Sequence, residues 1–190
     1  MMYDRGVAAT GLDDILAAAG CGKSQLYHYF ADKSELVRAV IDRQLELILE
    51  YQPGIYETRS WAGLRRWADQ ILREHDDQGG PYACPLGSMA AELKNDPAYR
   101  PGLDAAFRRW EEPLAQGLAA MRARGQLRPQ ADPERLARTA IAALQGGMLL
   151  ARVHDDKQLL ADAVDVALLA IRSKAARRRA VGEAPMPDRP

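Results

Sequence analysis

Apolar side chains recur at intervals of three and four residues along most of the chain, which is the period of an amphipathic α-helix. The clearest stripe predicts one long helix with a buried side, formed by Leu103, Phe107, Trp110, Leu114, Leu118 and Met121. The chain lacks the runs of β-branched residues that are typical of strands. The pattern therefore predicts an all-α fold.

Capping residues and prolines divide this pattern into separate helices. Predicted helix starts lie near Thr10, Lys23, Asp32, Ser60, Pro85, Asn95, Asp132 and Lys157. Pro113 falls inside the apolar stripe and predicts a kink or a break there, because proline removes one backbone hydrogen bond. Glycine within a helix costs about 1 kcal/mol relative to alanine. The pair Gly146-Gly147 therefore predicts close approach by a neighbouring helix.

Two short helices near the start of the chain are joined by a tight turn that contains glycine. The first is predicted from Thr10 to Gly20, where glycine can adopt the left-handed cap conformation, and the second from about Lys23 to Tyr29. This arrangement is a helix-turn-helix. Its second helix is rich in hydrogen-bonding side chains and fits the major groove of DNA; they belong to Lys23, Ser24, Gln25, Tyr27 and His28.

The run from Gly20 to Phe30, followed by Lys33 and Leu36, resembles the DNA-binding signature of the TetR family of bacterial transcription regulators. That signature has the pattern A-G-V-S-x-G-x-L-Y-x-H-F-x-x-K-x-x-L. The chain departs from it at Cys21, Gly22, Ser24 and Tyr29. Further along, CPLGSMAAEL, FRRWEEPL and ALQGGMLLAR resemble the LmrA/YxaF-like C-terminal subfamily.

The resemblance implies a domain organisation. Residues 1–50 form a helix-turn-helix head with a connecting helix, residues 51–179 form a ligand-binding and dimerisation body, and residues 180–190 form a disordered tail rich in proline. In the family, a first helix of several turns precedes the position of Gly6. We expect the head to be loosened where that helix is missing, because Leu12, Ile15 and Phe30 would lose part of their cover.

The resemblance also implies a function, which is a repressor released from its operator by a small lipophilic molecule. The DNA-contacting residues are expected to be Thr10, Lys23, Ser24, Gln25, Tyr27, His28 and Lys33. The ligand pocket is expected to be lined by Trp61, Trp67, Tyr82, Cys84, Met89, Phe107, Trp110 and Met148. A homodimer is expected through the helices at 133–153 and 157–173, which would place two recognition helices about 34–36 Å apart.

Composition changes this interpretation only in part. Lys and Arg number 26 and Asp and Glu number 26, so the zero formal charge argues against bulk nucleic-acid binding. DNA affinity would therefore come from a small docked surface that dimerisation doubles. Two cysteines form no disulfide framework, and no apolar segment is long enough to cross a bilayer, so we expect a cytoplasmic protein.

Other functions are weaker interpretations of the same residues. Ala17 to Ser24 fits a relaxed phosphate-loop pattern, but a charged helical segment precedes it where a buried strand is required. Cys84 could sense oxidants, although inert packing is the simpler interpretation. Histidines and cysteines lack metal-site spacing. We therefore expect no enzyme activity, no cofactor and no metal. A binding protein that has lost DNA contact remains as the third class of function.

Overall fold

Helices account for about three-quarters of the chain that the computed structural model describes, which is residues 1–77 and 84–176. The α-helices are α1 Met2–Arg5, α2 Leu12–Ala19, α3 Lys23–Tyr29, α4 Lys33–Tyr51, α5 Trp61–Asp77, α6 Pro85–Leu93, α7 Arg100–Ala123, α8 Pro133–His154 and α9 Gln158–Arg172. A 3-10 helix at Pro53–Glu57 follows α4. One antiparallel bridge joins Leu127 to Ala175, and the described ranges contain no strand. The all-α prediction is confirmed.

Side-chain caps fix the start of several helices where the sequence predicted them. The Asp32 carboxylate accepts a 2.8 Å hydrogen bond from the Glu35 backbone N–H and opens α4. The Asp132 carboxylate accepts one of 3.1 Å from the Arg135 N–H and opens α8. The Ser60 hydroxyl accepts one of 3.1 Å from the Gly63 N–H at the start of α5. Each cap satisfies a backbone donor that the first helical turn leaves without a partner.

Two helix starts differ from the prediction. Gly11, not Thr10, occupies the N-cap position of α2, because the Thr10 hydroxyl is directed to the carbonyl of Gly6 instead. The helix expected from Asn95 begins at Arg100, after a turn in which the Asp96 carboxylate accepts from the Ala98 N–H. A local side-chain contact competes with helix initiation in both places.

Of the two outcomes predicted at Pro113, a break is wrong, because α7 runs without interruption from Arg100 to Ala123, and a kink stays a prediction. Pro113 is buried, and Trp110 and Leu114 beside it are completely buried. Packing on both sides of the proline therefore offsets the one hydrogen bond that its ring removes.

The core of the body lies between α7, α8 and α9, and α4 packs on α6 and α7. Helices α8 and α9 approach each other closely at Gly147, because a Cβ atom there would lie 2.6 Å from the Cβ of Ala163. The prediction of close approach is confirmed for Gly147. A Cβ on Gly146 would meet no atom of residues 1–77 or 84–176 within 4 Å, so this glycine faces open space in the described part of the chain.

The opposite side of α8 and α9 is apolar and exposed. We call it the outer face; it comprises Leu149, Leu150, Val153, Val166 and Leu169. Scattered exposed apolar residues are ordinary, but a contiguous apolar surface marks an interaction site. In the described part of the chain, no helix combines the length and the apolar character needed to cross a membrane.

Candidate functional site

Helix α3 presents nearly all of its side chains to solvent. Leu26 is buried and anchors the helix to the head, whereas the other six residues are exposed. The five residues predicted on this helix, Lys23, Ser24, Gln25, Tyr27 and His28, therefore share one accessible surface. An exposed helix of this size can enter a major groove of about 12 Å width.

Tyr29 belongs to the same surface and was not among the predicted contacts. It is 69% exposed, and its ring packs edge-on against His28 with centroids 5.0 Å apart. Its position departs from the family signature, where histidine is expected. The sequence signal that could have identified Tyr29 is an aromatic residue next to His28 at the end of the second helix of the helix-turn-helix.

Charge on this surface is partly neutralised within the head. The Lys23 ammonium lies 3.1 Å from the Asp13 carboxylate, and both side chains are largely exposed. An exposed pair of this kind contributes at most about 1 kcal/mol. Lys23 can therefore be transferred from Asp13 to a DNA phosphate at small cost.

The predicted phosphate contact of Thr10 is wrong. Its side chain is completely buried, and its hydroxyl donates a 2.6 Å hydrogen bond to the carbonyl of Gly6. The Asp14 carboxylate accepts a 3.0 Å hydrogen bond from the Gly11 N–H and places negative charge at the start of α2. A phosphate would meet repulsion there instead of free N–H groups.

Lys33 makes an internal contact, and its contact with DNA stays a prediction. Its ammonium donates a 2.8 Å hydrogen bond to the carbonyl of Val7, and its side chain is partly buried. Like Thr10, it holds the loop between α1 and α2. Leu12, Ile15 and Phe30, whose cover was in question, are each half-buried.

Most of the predicted pocket residues lie in the hydrophobic core of the body. Trp67, Met89, Trp110 and Met148 are almost completely buried, and Phe107 stacks on Trp110 with centroids 6.2 Å apart. Trp61 is only half-buried, with the Arg172 guanidinium 5.8 Å above its ring. Tyr82 lies outside the described residues, as does the tail at 180–190.

Two indole N–H groups in this core have no hydrogen-bond partner among the described residues. They belong to Trp67 and Trp110, which are 3% and 0% exposed. A buried donor without a partner costs about 1–3 kcal/mol. A ligand with acceptor oxygens in the core would recover that free energy.

Cys84 occupies the N-cap of α6, where its sulfur accepts a 3.4 Å hydrogen bond from the Gly87 N–H. Burial raises the pKa of the Cys84 thiol, and polar contacts from Gln145, Gly87 and Leu86 oppose that shift only in part. A neutral, buried thiol is a poor nucleophile. The environment favours inert packing, and oxidant sensing stays an untested prediction.

Two of the cavities in the described part of the chain bear on the choice of ligand site. An open groove of about 680 Å³ beside α7 and the start of α8 is lined mainly by charged residues and does not suit a lipophilic ligand. A crevice of about 380 Å³ between α1, α2, α4 and α6 is mostly apolar and includes Met89. Across residues 1–77 and 84–176, no group of three or more His, Cys, Asp or Glu side chains could hold a metal ion.

Comparisons with known proteins agree with the geometry of the head and the body. Residues 1–40 match the family described as bacterial regulatory proteins, tetR family, and residues 61–167 match the tetracyclin repressor-like C-terminal domain. An uncharacterized HTH-type transcriptional regulator in the lacX 3' region of Lactococcus lactis subsp. lactis is 31% identical over 170 residues, which cover 87% of this chain and 85% of that protein.

A second relative, the HTH-type transcriptional repressor DhaR of Mycobacterium sp. strain GP1, is 25% identical over 167 residues, with 84% of this chain and 81% of that protein covered. The crystal structure of Escherichia coli NemR in its reduced form superposes with a TM-score of 0.76 at 20% identity. That match covers 94% of this chain and 93% of NemR, and at this identity it shows the shared fold alone.

Proposed function

This chain belongs to the TetR family of bacterial transcription regulators, and from that premise we propose that it is a repressor released from its operator by a small lipophilic molecule. Its relatives are regulators and not enzymes, and helix α2 stands where a phosphate loop would need a strand. The observation that supports the proposal most directly is the exposed surface of α3, in which Leu26 is the one buried residue of seven.

On this proposal, α3 lies in the major groove with its polar side chains directed to base edges and phosphates. Gln25 can form a bidentate pair with adenine, and Lys23 can pair with guanine or phosphate. Tyr27 and Tyr29 flank that polar set with exposed aromatic rings that can pack on the sugar-phosphate backbone.

A dimer is the second part of the proposal, because one head with so little free positive charge would bind DNA weakly. The outer face of α8 and α9 supplies apolar surface on two adjacent helices for a twofold contact. A twofold dimer buries the same patch on both subunits. Gly146 faces open space on the same helix and would allow close approach of the partner's backbone.

The effector is the third part. We assign it to the core around Trp67 and Trp110, because their indole N–H groups have no partner among the described residues and favour a flat apolar compound that carries hydrogen-bond acceptors. Such a ligand releases DNA only if it binds the released conformation more tightly, with α4 acting as the connection between body and head. A coupling free energy of about 3 kcal/mol would lower operator affinity about 150-fold.

Operator binding is tested by fluorescence anisotropy with the DNA that flanks the protein's own gene. Gln25→Ala should weaken binding by roughly 5- to 150-fold, since a bidentate base contact contributes about 1–3 kcal/mol. Gln130→Ala, which removes an exposed glutamine from the body, is the matched control and should leave affinity unchanged. If the unmodified protein fails to bind this DNA, the repressor function is refuted in favour of a binding protein without DNA contact.

The effector site is tested by a thermal-shift screen of lipophilic compounds, followed by titration of the best binder. Trp110→Phe removes one buried N–H while keeping most of the aromatic volume. The substitution should lower the affinity for a carbonyl-bearing compound by roughly 2- to 12-fold, because a hydrogen bond contributes a net free energy of about 0.5–1.5 kcal/mol. The analogue without the carbonyl oxygen should bind the unmodified protein and Trp110→Phe equally well. If the substitution lowers the affinity for both compounds by the same factor, the assigned role of the indole N–H is contradicted.

A further inference from the structure

Glu92, near the end of α6, holds a segment of the head that lies more than 80 positions earlier in the chain. Its Oε2 accepts a 2.8 Å hydrogen bond from the Val7 N–H, and its Oε1 accepts a 2.8 Å hydrogen bond from the Ala8 N–H. Both carboxylate oxygens are therefore engaged with consecutive backbone donors in the loop between α1 and α2. Hydrogen bonds to an ionised acceptor are roughly twice as strong as neutral ones.

The loop is shaped to receive this carboxylate. Gly6 has a φ of +90°, a backbone conformation that residues with a Cβ atom rarely adopt. A Cβ atom at this position would also lie 3.2 Å from Glu92 Oε2. On the other side of the loop, the Lys33 ammonium from α4 donates to the Val7 carbonyl at 2.8 Å. The Val7 peptide region is thus held between α6 of the body and α4 of the head.

Other contacts between α4 and the body are different in kind. The Tyr99 hydroxyl donates to the Ser34 hydroxyl at 3.1 Å, and Arg109 lies 3.5 Å from Asp42 with both side chains mostly exposed. These contacts reach the connecting helix α4. The Glu92 contact reaches the loop directly before α2, and α2 carries the turn into α3.

We propose that Glu92 is the positioning residue through which α6 of the body fixes the pose of α2 and α3 in the head. The inference rests on the proposed function, because it names the contact that relates effector occupancy to operator affinity. Helix α6 begins at Pro85, directly after its N-cap Cys84, and places Met89 in the core of the body and in the crevice toward α1. A shift of α6 therefore displaces the Val7–Ala8 segment and changes the orientation of α2 and α3.

The contact itself is tested by amide hydrogen exchange of the full chain, measured by NMR. Glu92→Ala should raise the exchange rates of the Val7 and Ala8 amides at least tenfold, the equivalent of about 1.4 kcal/mol. Glu92→Gln keeps the side-chain shape and one acceptor oxygen, so it should protect one of the two amides from exchange. This variant keeps the inference testable if Glu92→Ala fails to fold. Glu134→Ala, an exposed carboxylate on α8, is the control. Unchanged exchange in Glu92→Ala would overturn the inference.

The coupling is tested without any effector, because linkage between two sites is reciprocal. In a Cys21→Ser background, the reaction of Cys84 with DTNB reports opening at the start of α6. Saturating operator DNA should slow this reaction at least threefold in the Cys21→Ser parent and leave it unchanged in the Cys21→Ser, Glu92→Ala double variant. A general structural defect would alter the rate with and without DNA alike.

The two possible failures are distinguishable. Absence of operator binding by the unmodified protein would refute the proposed function, and the exchange rates of Val7 and Ala8 would still decide whether Glu92 holds the loop. If operator DNA binds and slows Cys84 labelling equally in both variants, Glu92 does not carry the coupling.

Discussion

Leu169 offers the sharpest test of the proposed dimer, because it is 64% exposed on the outer face of α9 although it is a large apolar residue. In an isolated subunit, Leu169→Ala removes little buried surface and keeps a good helix former within α9. In a twofold dimer, the same substitution removes apolar contact from both subunits at once. Its effect on association should therefore greatly exceed its effect on subunit stability.

The size of the effect follows from the exposed fraction. Complete burial of a leucine side chain contributes about 1.5–3 kcal/mol, so burial of the exposed part contributes about 1–2 kcal/mol per subunit. Two subunits give about 2–4 kcal/mol, because the interface is used twice. At 1.4 kcal/mol per factor of ten, the dimer dissociation constant should rise roughly 30- to 700-fold.

Analytical ultracentrifugation over a dilution series measures this constant, and circular dichroism checks that the subunit remains folded. Tyr56→Ala is the control, because Tyr56 is also an exposed apolar residue but lies on the 3-10 helix away from α8 and α9. An unchanged dissociation constant for Leu169→Ala, or an equal change for Tyr56→Ala, would refute the assignment of the outer face as the dimer contact.

Three further results are expected. Asp13→Asn should tighten operator binding by up to about fivefold at low salt. The substitution removes the exposed Lys23–Asp13 ion pair, which contributes at most about 1 kcal/mol and competes with the pairing of Lys23 to phosphate. Gly147→Ala should lower the free energy of unfolding in urea by about 1–3 kcal/mol, because the new Cβ would overlap Ala163. Burial raises the pKa of Cys84 in the folded state above the ordinary thiol value of 9.0. The stability that Cys84 adds relative to Cys84→Ser should therefore be complete below pH 9.0 and be lost as pH rises through the folded pKa. Urea unfolding of both proteins across this pH range measures the difference in free energy of unfolding.

Each of these has a matched comparison. Asp104→Asn removes one negative charge from the body and should leave operator affinity unchanged in the same anisotropy assay. Gly102→Ala lies in α7 where a Cβ meets nothing within 4 Å, so it should stabilise by up to about 1 kcal/mol. A stabilised Gly147→Ala would contradict the close approach of α8 and α9. A stability difference from Cys84→Ser that stays constant above pH 9.0 would contradict the raised pKa.

Local sequence signals predicted the helices well because their causes are local. Asp32, Ser60 and Asp132 cap helices at the predicted places, since each oxygen reaches a donor only three residues ahead. The exposure of α3 was also predictable, because one leucine among polar neighbours leaves a single side to bury. Gly147 was found as a position of close approach because a glycine inside a helix otherwise destabilises it.

The errors arose where a local pattern permits two outcomes and a competing contact or the packing decides between them. Thr10 is a residue type suited to an N-cap, but its hydroxyl donates to the carbonyl of Gly6, four residues earlier. Pro113 predicts a break that packing around α7 prevents. Tyr29 escaped notice because an aromatic residue is equally compatible with a core and with a surface until the orientation of its helix is known.

Local patterns along the chain specify the all-α fold, the order of its helices and the helix-turn-helix, because spacing, caps and glycines act within a few residues of one another. Which polar side chains remain exposed on α3 and which hold the head together depends on how the helices pack. The tertiary structure also decides that Glu92 meets Val7 and Ala8, because a contact across more than 80 residues depends on how the helices pack and leaves no periodic trace in the chain.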